Sequence, residues 1–175
     1  IEGSVVSSPL SFDATLTTLL APLLAGRSVE LLADDERLMA QLAERLFAAA
    51  GNKLFKLTPA HLEALQYVER PQAIGNAAHV LGLGGEQLSA TLLRRWKREL
   101  LPEASFVNEY GPTEAVVGCS VWWLREETEQ FARLTAAPIG RAIANTRLYV
   151  LGAEQQLLPW QSVGELYIGG AGVAR

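Results

Sequence analysis

At 175 residues, with 49% hydrophobic and 19% charged side chains, the chain has room for one domain with a sizeable core and not for two ordinary ones. Its formal net charge of −4 and the lack of a basic stripe exclude a nucleic-acid partner held through phosphate contacts. The most basic stretch, Arg94-Arg95-Trp96-Lys97-Arg98, lies inside an amphipathic helical pattern and reads as a solvated helix face.

Cys119 is the single cysteine, which rules out an intrachain disulfide and a thiol cluster for zinc. Its apolar neighbours make it a small core filler. No apolar run reaches the roughly 18 residues of a membrane span. Ile1 to Ser8 lacks the basic end and long apolar stretch of a secretory signal, so the expected compartment is the cytoplasm. A start without Met and a stop at Arg175, straight after a Gly-rich turn, read as a piece of a larger protein.

Taken in chain order, strand-like and helix-like patterns alternate. Val5-Val6 is a short extended run, and Asp13 is placed to cap a helix running to Leu24. Leu16, Leu19, Leu20 and Leu23 share one face of it, Pro22 should kink or shorten it, and Gly26 stops it. Val29 to Leu32 reads as a buried strand. Leu38, Leu42, Leu46 and Phe47 then recur at helical spacing, closed by Gly51-Asn52. Leu54 to Leu57 is a strand, and Thr58-Pro59 opens a helix with Thr as cap and Pro at the first helical position.

Val80 to Leu83 is the next strand, ending in Gly84-Gly85. Ser89 caps a helix that turns Leu92, Leu93, Trp96 and Leu100 inward, and Ser105 to Asn108 is a further strand of the same kind. The pattern then changes, with strands at Ser120–Leu124, Arg147–Leu151 and Glu165–Ile168 and no long helix between them. The fold class expected is therefore α/β: flavodoxin-like βα units with a parallel sheet, followed by the start of an antiparallel or barrel-like piece. The corresponding domains are residues 1–135 and 136–175. Truncated edge strands in such a piece would invite self-association.

Ligands of open parallel sheets bind at the carboxyl ends of the strands. Three segments fall there: Phe12-Asp13-Ala14, Gly84-Gly85-Glu86, and Asn108-Glu109-Tyr110-Gly111-Pro112-Thr113-Glu114. The third carries an amide, an aromatic ring, a turn, a hydroxyl and a carboxylate, enough to hold a base, orient a phosphate oxygen and ligate Mg²⁺. The same residues also serve as a plain turn and helix cap, and Asp13 as a plain N-cap.

The third segment resembles the Asn-x-Tyr-Gly-Pro-Thr-Glu signature of amino-acid adenylation domains of nonribosomal peptide synthetases. Phe12-Asp13-Ala14-Thr15 is similar to that family's Phe-Asp-x-Ser motif, with Thr in place of Ser. Gly164 to Arg175 resembles its Gly-Glu-Leu-x-Ile-Gly-Gly-x-Gly-x-Ala-Arg motif. The three motifs come in the family's order and span nearly the whole chain.

This resemblance implies a role for each matched residue. Tyr110 stacks on adenine, Asn108 bonds the adenine amino group, and Gly84, Gly85, Glu86 and Gly111 complete the nucleotide wall. Thr113 touches the α-phosphate, and Glu114 holds Mg²⁺. Asp13 binds the substrate's α-ammonium through a charge-assisted bond. Side-chain selection falls to Ala14, Thr17, Lys56, Leu81, Leu83, Glu109, Val117 and Gly118.

The resemblance also implies ATP and Mg²⁺ as cofactors, phosphopantetheine on a partner carrier domain, and a condensation domain nearby. The family's Lys-ending phosphate loop, ribose-binding Asp and catalytic Lys have no match here, so the isolated chain is expected to be inactive. Lys56 is buried beside a partner or faces solvent. If buried, Glu109 is its natural partner. The set Thr17, Lys56, Glu109, Val117 and Gly118 resembles pockets for asparagine and, more loosely, aspartate. Ala14 is smaller than the usual Leu of such pockets, and Leu83 larger than the usual Gly. His61 and His79 are assigned no role. Alternatives are an acyl- or aryl-CoA ligase of the same superfamily, which would leave Asp13 without an ammonium to pair, or a non-catalytic specificity module.

Overall fold

A computed structural model describes residues 1–48, 51–69, 77–126 and 128–174. Arg175, the last residue of the third motif, lies outside them. The strands are β1 (Gly3–Val6), β2 (Ser28–Leu31), β3 (Lys53–Leu57), β4 (Val80–Leu83), β5 (Ser105–Tyr110), β6 (Ser120–Leu124), β7 (Arg141–Ala142), β8 (Thr146–Leu151) and β9 (Glu165–Gly170). The α-helices are α1 (Thr15–Leu24), α2 (Leu38–Phe47), α3 (Pro59–Leu65), α4 (Ala90–Arg95) and the short α5 (Glu129–Ala132). The first seven strands form one sheet in the order β2-β1-β3-β4-β5-β6-β7, and β8 and β9 form a second, two-stranded sheet.

Strands β1 to β5 are parallel, in the doubly wound order 2-1-3-4-5. The chain leaves β1 toward β2 and returns to β3 on its other side, so the topological switch point lies between β1 and β3. Antiparallel β6 and β7 extend the same sheet. The expected division near residue 136 falls just ahead of β7, which still belongs to the large sheet, whereas the antiparallel β8–β9 pair stands apart.

The core lies between the sheet and α2, α3 and α4. Leu42, Leu46 and Phe47 of α2, Leu62 and Leu65 of α3, and Leu92, Leu93 and Trp96 bury against Phe55, Leu81, Leu83 and Phe106 of the strands. Trp96 also donates its indole N–H to the Leu62 carbonyl at 3.2 Å, which satisfies its only donor in that dry setting. After Arg95 the helix widens into a π-helical turn over Trp96–Leu100, where Leu101 N–H bonds the Trp96 carbonyl at 2.8 Å. That widening lets Trp96, Leu100 and Leu101 all bury.

The caps of α3 and α4 are as expected, with Thr58 accepting from His61 N–H and Ser89 from Leu92 N–H. The start of α1 is not. Asp13 makes no side-chain cap bond, and the cap position is Ala14. The face of α1 is also reversed: Thr15, Thr18 and Pro22 are buried, while Leu16, Leu20, Leu23 and Leu24 are exposed. The buried Ser4 hydroxyl donates to the Thr18 carbonyl, so the helix packs through its small polar residues. β2 is likewise not a buried strand but the sheet edge, with Leu31 exposed. β5 runs two residues past its expected end, which places Glu109 and Tyr110 on the strand rather than in the turn.

Candidate functional site

Two cavities open at the carboxyl ends of the parallel strands. The first, of about 290 Å³, lies at the switch point. Ser7 and Ser8 after β1, Lys56 to Thr58 at the end of β3, Gly84 and Gly85 after β4, and Glu109 with Gly111 to Thr113 around the end of β5 line it. Phe12, Asp13, Ala14, His61 and Val117 complete the wall. The second, of about 440 Å³, lies across β5 and is lined by Gly85 to Leu88, Asn108 to Pro112, Ala137 and Ile139.

Lys56 settles the choice left open by its apolar strand. Its side chain is 7% exposed and ion-paired with Glu109, itself 16% exposed. Both belong to neighbours of β4, so the pair spans that strand on the face opposite the core. Such a crossing needs an empty surface beneath it. A β-carbon on Gly82 would meet Lys56 Cδ at 3.4 Å and Glu109 Oε1 at 3.5 Å, and one on Gly84 would meet the Glu109 carbonyl oxygen at 2.7 Å and Lys56 Nζ at 3.2 Å. Glycine at position 84 is what makes room for the ion pair, whereas a β-carbon at position 82 would rest against it in ordinary van der Waals contact.

Alternation along β4 corrects two expectations. Leu81 and Leu83 are fully buried in the core and line neither cavity. The residue facing Lys56 and Glu109 is Gly82, because side chains one apart on a strand point to opposite faces. The bulky wall expected from Leu83 is therefore absent, and the usual small residue is present. Thr17 and Gly118 do not line the first cavity either. A β-carbon on Gly118 would nonetheless lie 3.8 Å from Glu109 Cβ, so its size bears on that side chain.

Asp13 sits in the loop between β1 and α1. Its carbonyl accepts from Leu16 N–H at 2.9 Å, while its carboxylate takes no capping role and lines the cavity. The loop is tied down by Thr15, whose hydroxyl donates to the Pro9 carbonyl at 2.9 Å and lies 2.6 Å from Ser8 Oγ.

In the second cavity the buried Asn108 donates through Nδ2 to the Pro138 carbonyl at 2.8 Å. That bond orients the amide and leaves Oδ1 as its acceptor. Tyr110, 38% exposed, presents its ring at the same cavity. Gly85 and Glu86 line it too, and Gly111 borders both cavities.

Thr113 and Glu114, both exposed, form a 3-10 turn with the buried Ala115. The third motif reaches this turn: Ala174 N–H donates to the Glu114 carbonyl at 2.7 Å. Beyond the turn, Val116 and Val117 both have left-handed backbones, with φ of 52° and 65°. β-branched residues resist that conformation, which costs on the order of 1–3 kcal/mol each. The segment is held by Cys119 N–H bonding the Tyr110 carbonyl at 2.8 Å, and by Gly111, whose β-carbon would stand 2.7 Å from the Cys119 nitrogen.

Sequence reasoning passed over His61, which lines the first cavity. The signal was its spacing, three residues after the Thr58 cap. Burial pushes its imidazole below the ordinary value of 6.5, against the opposing pull of Glu86. His79 is also held down by burial and accepts from Lys53 N–H at 3.0 Å, and it lines neither cavity.

Residues 3–175 match the family described as AMP-binding enzyme. The chain is 33% identical to bacitracin synthase 3 of Bacillus licheniformis, with 96% of the chain and 2% of that protein aligned. It is 31% identical to tyrocidine synthase 1 of Brevibacillus parabrevis, with 95% of the chain and 14% of that protein aligned. The chain thus spans a small part of the length of the curated relatives it matches. Among solved structures it superposes on a four-domain nonribosomal peptide synthetase bound to AMP and glycine, with a TM-score of 0.78 and 31% identity over 99% of this chain and 12% of that one. An NRPS protein containing adenylation and PCP domains gives a TM-score of 0.77 at 30% identity, covering 99% of this chain and 34% of the other. With the motifs, the sheet order and the paired cavities agreeing, the chain belongs to the AMP-binding enzymes, as a fragment of a nonribosomal-peptide-synthetase adenylation domain.

Proposed function

We propose that the chain forms the amino-acid pocket and part of the nucleotide site of a domain that activates a polar amino acid, asparagine or aspartate, as its adenylate. The observation that carries this reading is the Lys56–Glu109 pair in the wall of the cavity that Asp13 also lines. Asp13 meets the α-ammonium, and the pair offers a donor and an acceptor to the far end of the side chain. The adjoining cavity takes the adenosine, with Asn108 Oδ1 accepting from the adenine amino group and Tyr110 against the ring. A solved relative's bound AMP and glycine support two neighbouring ligands of these kinds.

Thr113, in the wall of the first cavity next to Gly111 and Pro112, which border both, orients the α-phosphate for attack by the substrate carboxylate, with pyrophosphate leaving. The exposed Glu114 fits Mg²⁺ as a single oxygen ligand. Among the described residues no group of three or more His, Cys, Asp and Glu side chains could hold a metal, so the remaining ligands would be phosphate and water. Bound there, Mg²⁺ would share the charge that develops on the phosphate oxygens.

We also propose the division at residue 136, the inactivity of the isolated chain, and transfer of the acyl group to the phosphopantetheine thiol of a carrier domain. Among the described residues no helix is long and apolar enough to cross a membrane.

The test is amino-acid-dependent ATP–pyrophosphate exchange by an intact adenylation domain carrying this segment. Exchange with asparagine or aspartate, abolished by Asp13→Ala, is the expected result. Exchange with an apolar amino acid overturns the pocket reading. Activation of an acid without an α-amino group, untouched by Asp13→Ala, favours the CoA-ligase alternative.

A further inference from the structure

We infer that His61 is a specificity-determining residue, whose Nε2–H donates to the side-chain oxygen of the bound amino acid, beside a Lys56–Glu109 pair that favours a carboxamide over a carboxylate. The inference rests on the amino-acid-pocket reading above and chooses between its two substrates.

The ring's tautomer follows from its hydrogen bonds. His61 is the third residue of α3, and its Nδ1 lies 3.1 Å from Thr58 N, a backbone donor that can only donate. Thr58 Oγ1 stands 2.8 Å from the same nitrogen and in turn accepts from His61 N–H at 3.3 Å. Nδ1 is therefore the acceptor, and the proton of the neutral ring sits on Nε2. Nε2 has no protein partner among the described residues, and the ring lines the cavity. A helix cap has thus been built from a residue with one donor to spare, at the wall of a ligand pocket.

The charges around the ring decide which oxygen suits that donor. Asp13, Lys56 and Glu109 line the cavity with His61, and Glu86 faces it electrostatically. Asp13 is matched by the substrate's ammonium, and Lys56 is already matched by Glu109. The far end of the pocket therefore carries no surplus positive charge. A substrate carboxylate there would meet the Glu109 carboxylate with no free cation among the described residues lining the cavity to compensate it. A carboxamide would accept from Lys56 and His61 through its oxygen and donate to Glu109 through its nitrogen, leaving no buried group unpaired. Burial holds the imidazole neutral, in keeping with a donor that adds no charge.

Two variants separate this role from capping. Asparagine at position 61 can place an oxygen where Nδ1 accepts from Thr58 N–H, but it does not reach the Nε2 position. Glutamine can cap through its oxygen and donate through its nitrogen. In an intact adenylation domain carrying the segment, exchange kinetics are measured with asparagine, aspartate and ATP for wild type, His61→Asn and His61→Gln. We expect His61→Asn to raise KM for asparagine about tenfold, the loss of about one hydrogen bond, with KM for ATP within about twofold. Preference for asparagine over aspartate should hold in both variants, because Glu109 sets it, and His61→Gln should restore most of the lost affinity for asparagine.

Unchanged KM for asparagine in His61→Asn overturns the inference. So does an equal rise in KM for ATP, or a thermal midpoint that falls for both variants alike with their kinetics. If the wild-type chimera exchanges with neither asparagine nor aspartate, the amino-acid-pocket reading itself fails, and the two failures are distinct.

Discussion

Replacing Lys56 by methionine removes the cation and keeps the length of the stem. Glu109 is then left with 16% of its side chain exposed and no counter-charge. Breaking a buried pair from one side typically costs about 3–5 kcal/mol, whereas replacing both partners is often close to neutral. Because the Glu109 carboxylate borders an open cavity and can take up water, the lower end applies, about 3 kcal/mol. The double variant Lys56→Met, Glu109→Gln should fall within about 1 kcal/mol of wild type, since no unpaired charge remains. Urea denaturation of the isolated chain at pH 7.5, followed by tryptophan fluorescence, reads this directly. With a slope of about 2 kcal/mol per molar urea, the single variant should lower the midpoint by about 1.5 M and the double should recover most of it. A single variant within about 0.5 kcal/mol of wild type would refute the reasoning, as it would mean that the two charges are solvated independently.

Gly84→Ala should destabilise by about 2–3 kcal/mol, because its β-carbon would press on the Glu109 backbone oxygen, which cannot swing away as a side chain can; an unchanged urea midpoint would disprove the crowding. Acidification should also destabilise the chain. Burial holds both His61 and His79 below 6.5, so the unfolded chain binds protons first. Their effect on stability is absent above 6.5 and grows as pH falls below it, at up to about 1.4 kcal/mol per pH unit for each histidine. Glu30 acts in a lower window: held below 4.5 chiefly by its hydrogen bond to Lys53, it contributes above that value and the contribution is lost below it. A urea midpoint that does not move between pH 7.5 and 5.5 would contradict neutral burial of the two imidazoles.

Much of the fold was legible because its signals are local. The Thr58-Pro59 and Ser89 caps, the helical spacing of Leu42, Leu46 and Phe47, and the strand-like runs ending at Gly84-Gly85 and Gly111 depend on residues within a turn or two of one another. Helix α1 misled for the same reason. Its leucines have perfect helical spacing, but spacing identifies an apolar face without saying what covers it. In this structure strand β1, next to the sheet edge, meets the helix through Ser4 and Thr18, and Thr15 is buried against the loop that follows β1. The edge position of β2 was equally hidden, since a strand's neighbours are set by crossovers rather than by its own composition.

The motifs by themselves determined that an amide, a ring, a hydroxyl and carboxylates lie close together in the chain at the ends of strands. Only the tertiary structure decided how they face. Which side of β4 meets the pocket turns on a one-residue register, and that register is fixed by pairing with β3 and β5, far away in sequence. It put Gly82 beneath the Lys56–Glu109 pair and Leu81 and Leu83 in the core. Lys56 and Glu109 are 53 residues apart, and nothing local to either states that the strand between them presents Gly82 and then Gly84 to the pair. His61 was invisible as a pocket residue for the same reason: sequence spacing gives its hydrogen bond to Thr58, while the switch point between β1 and β3 gives it a cavity to face.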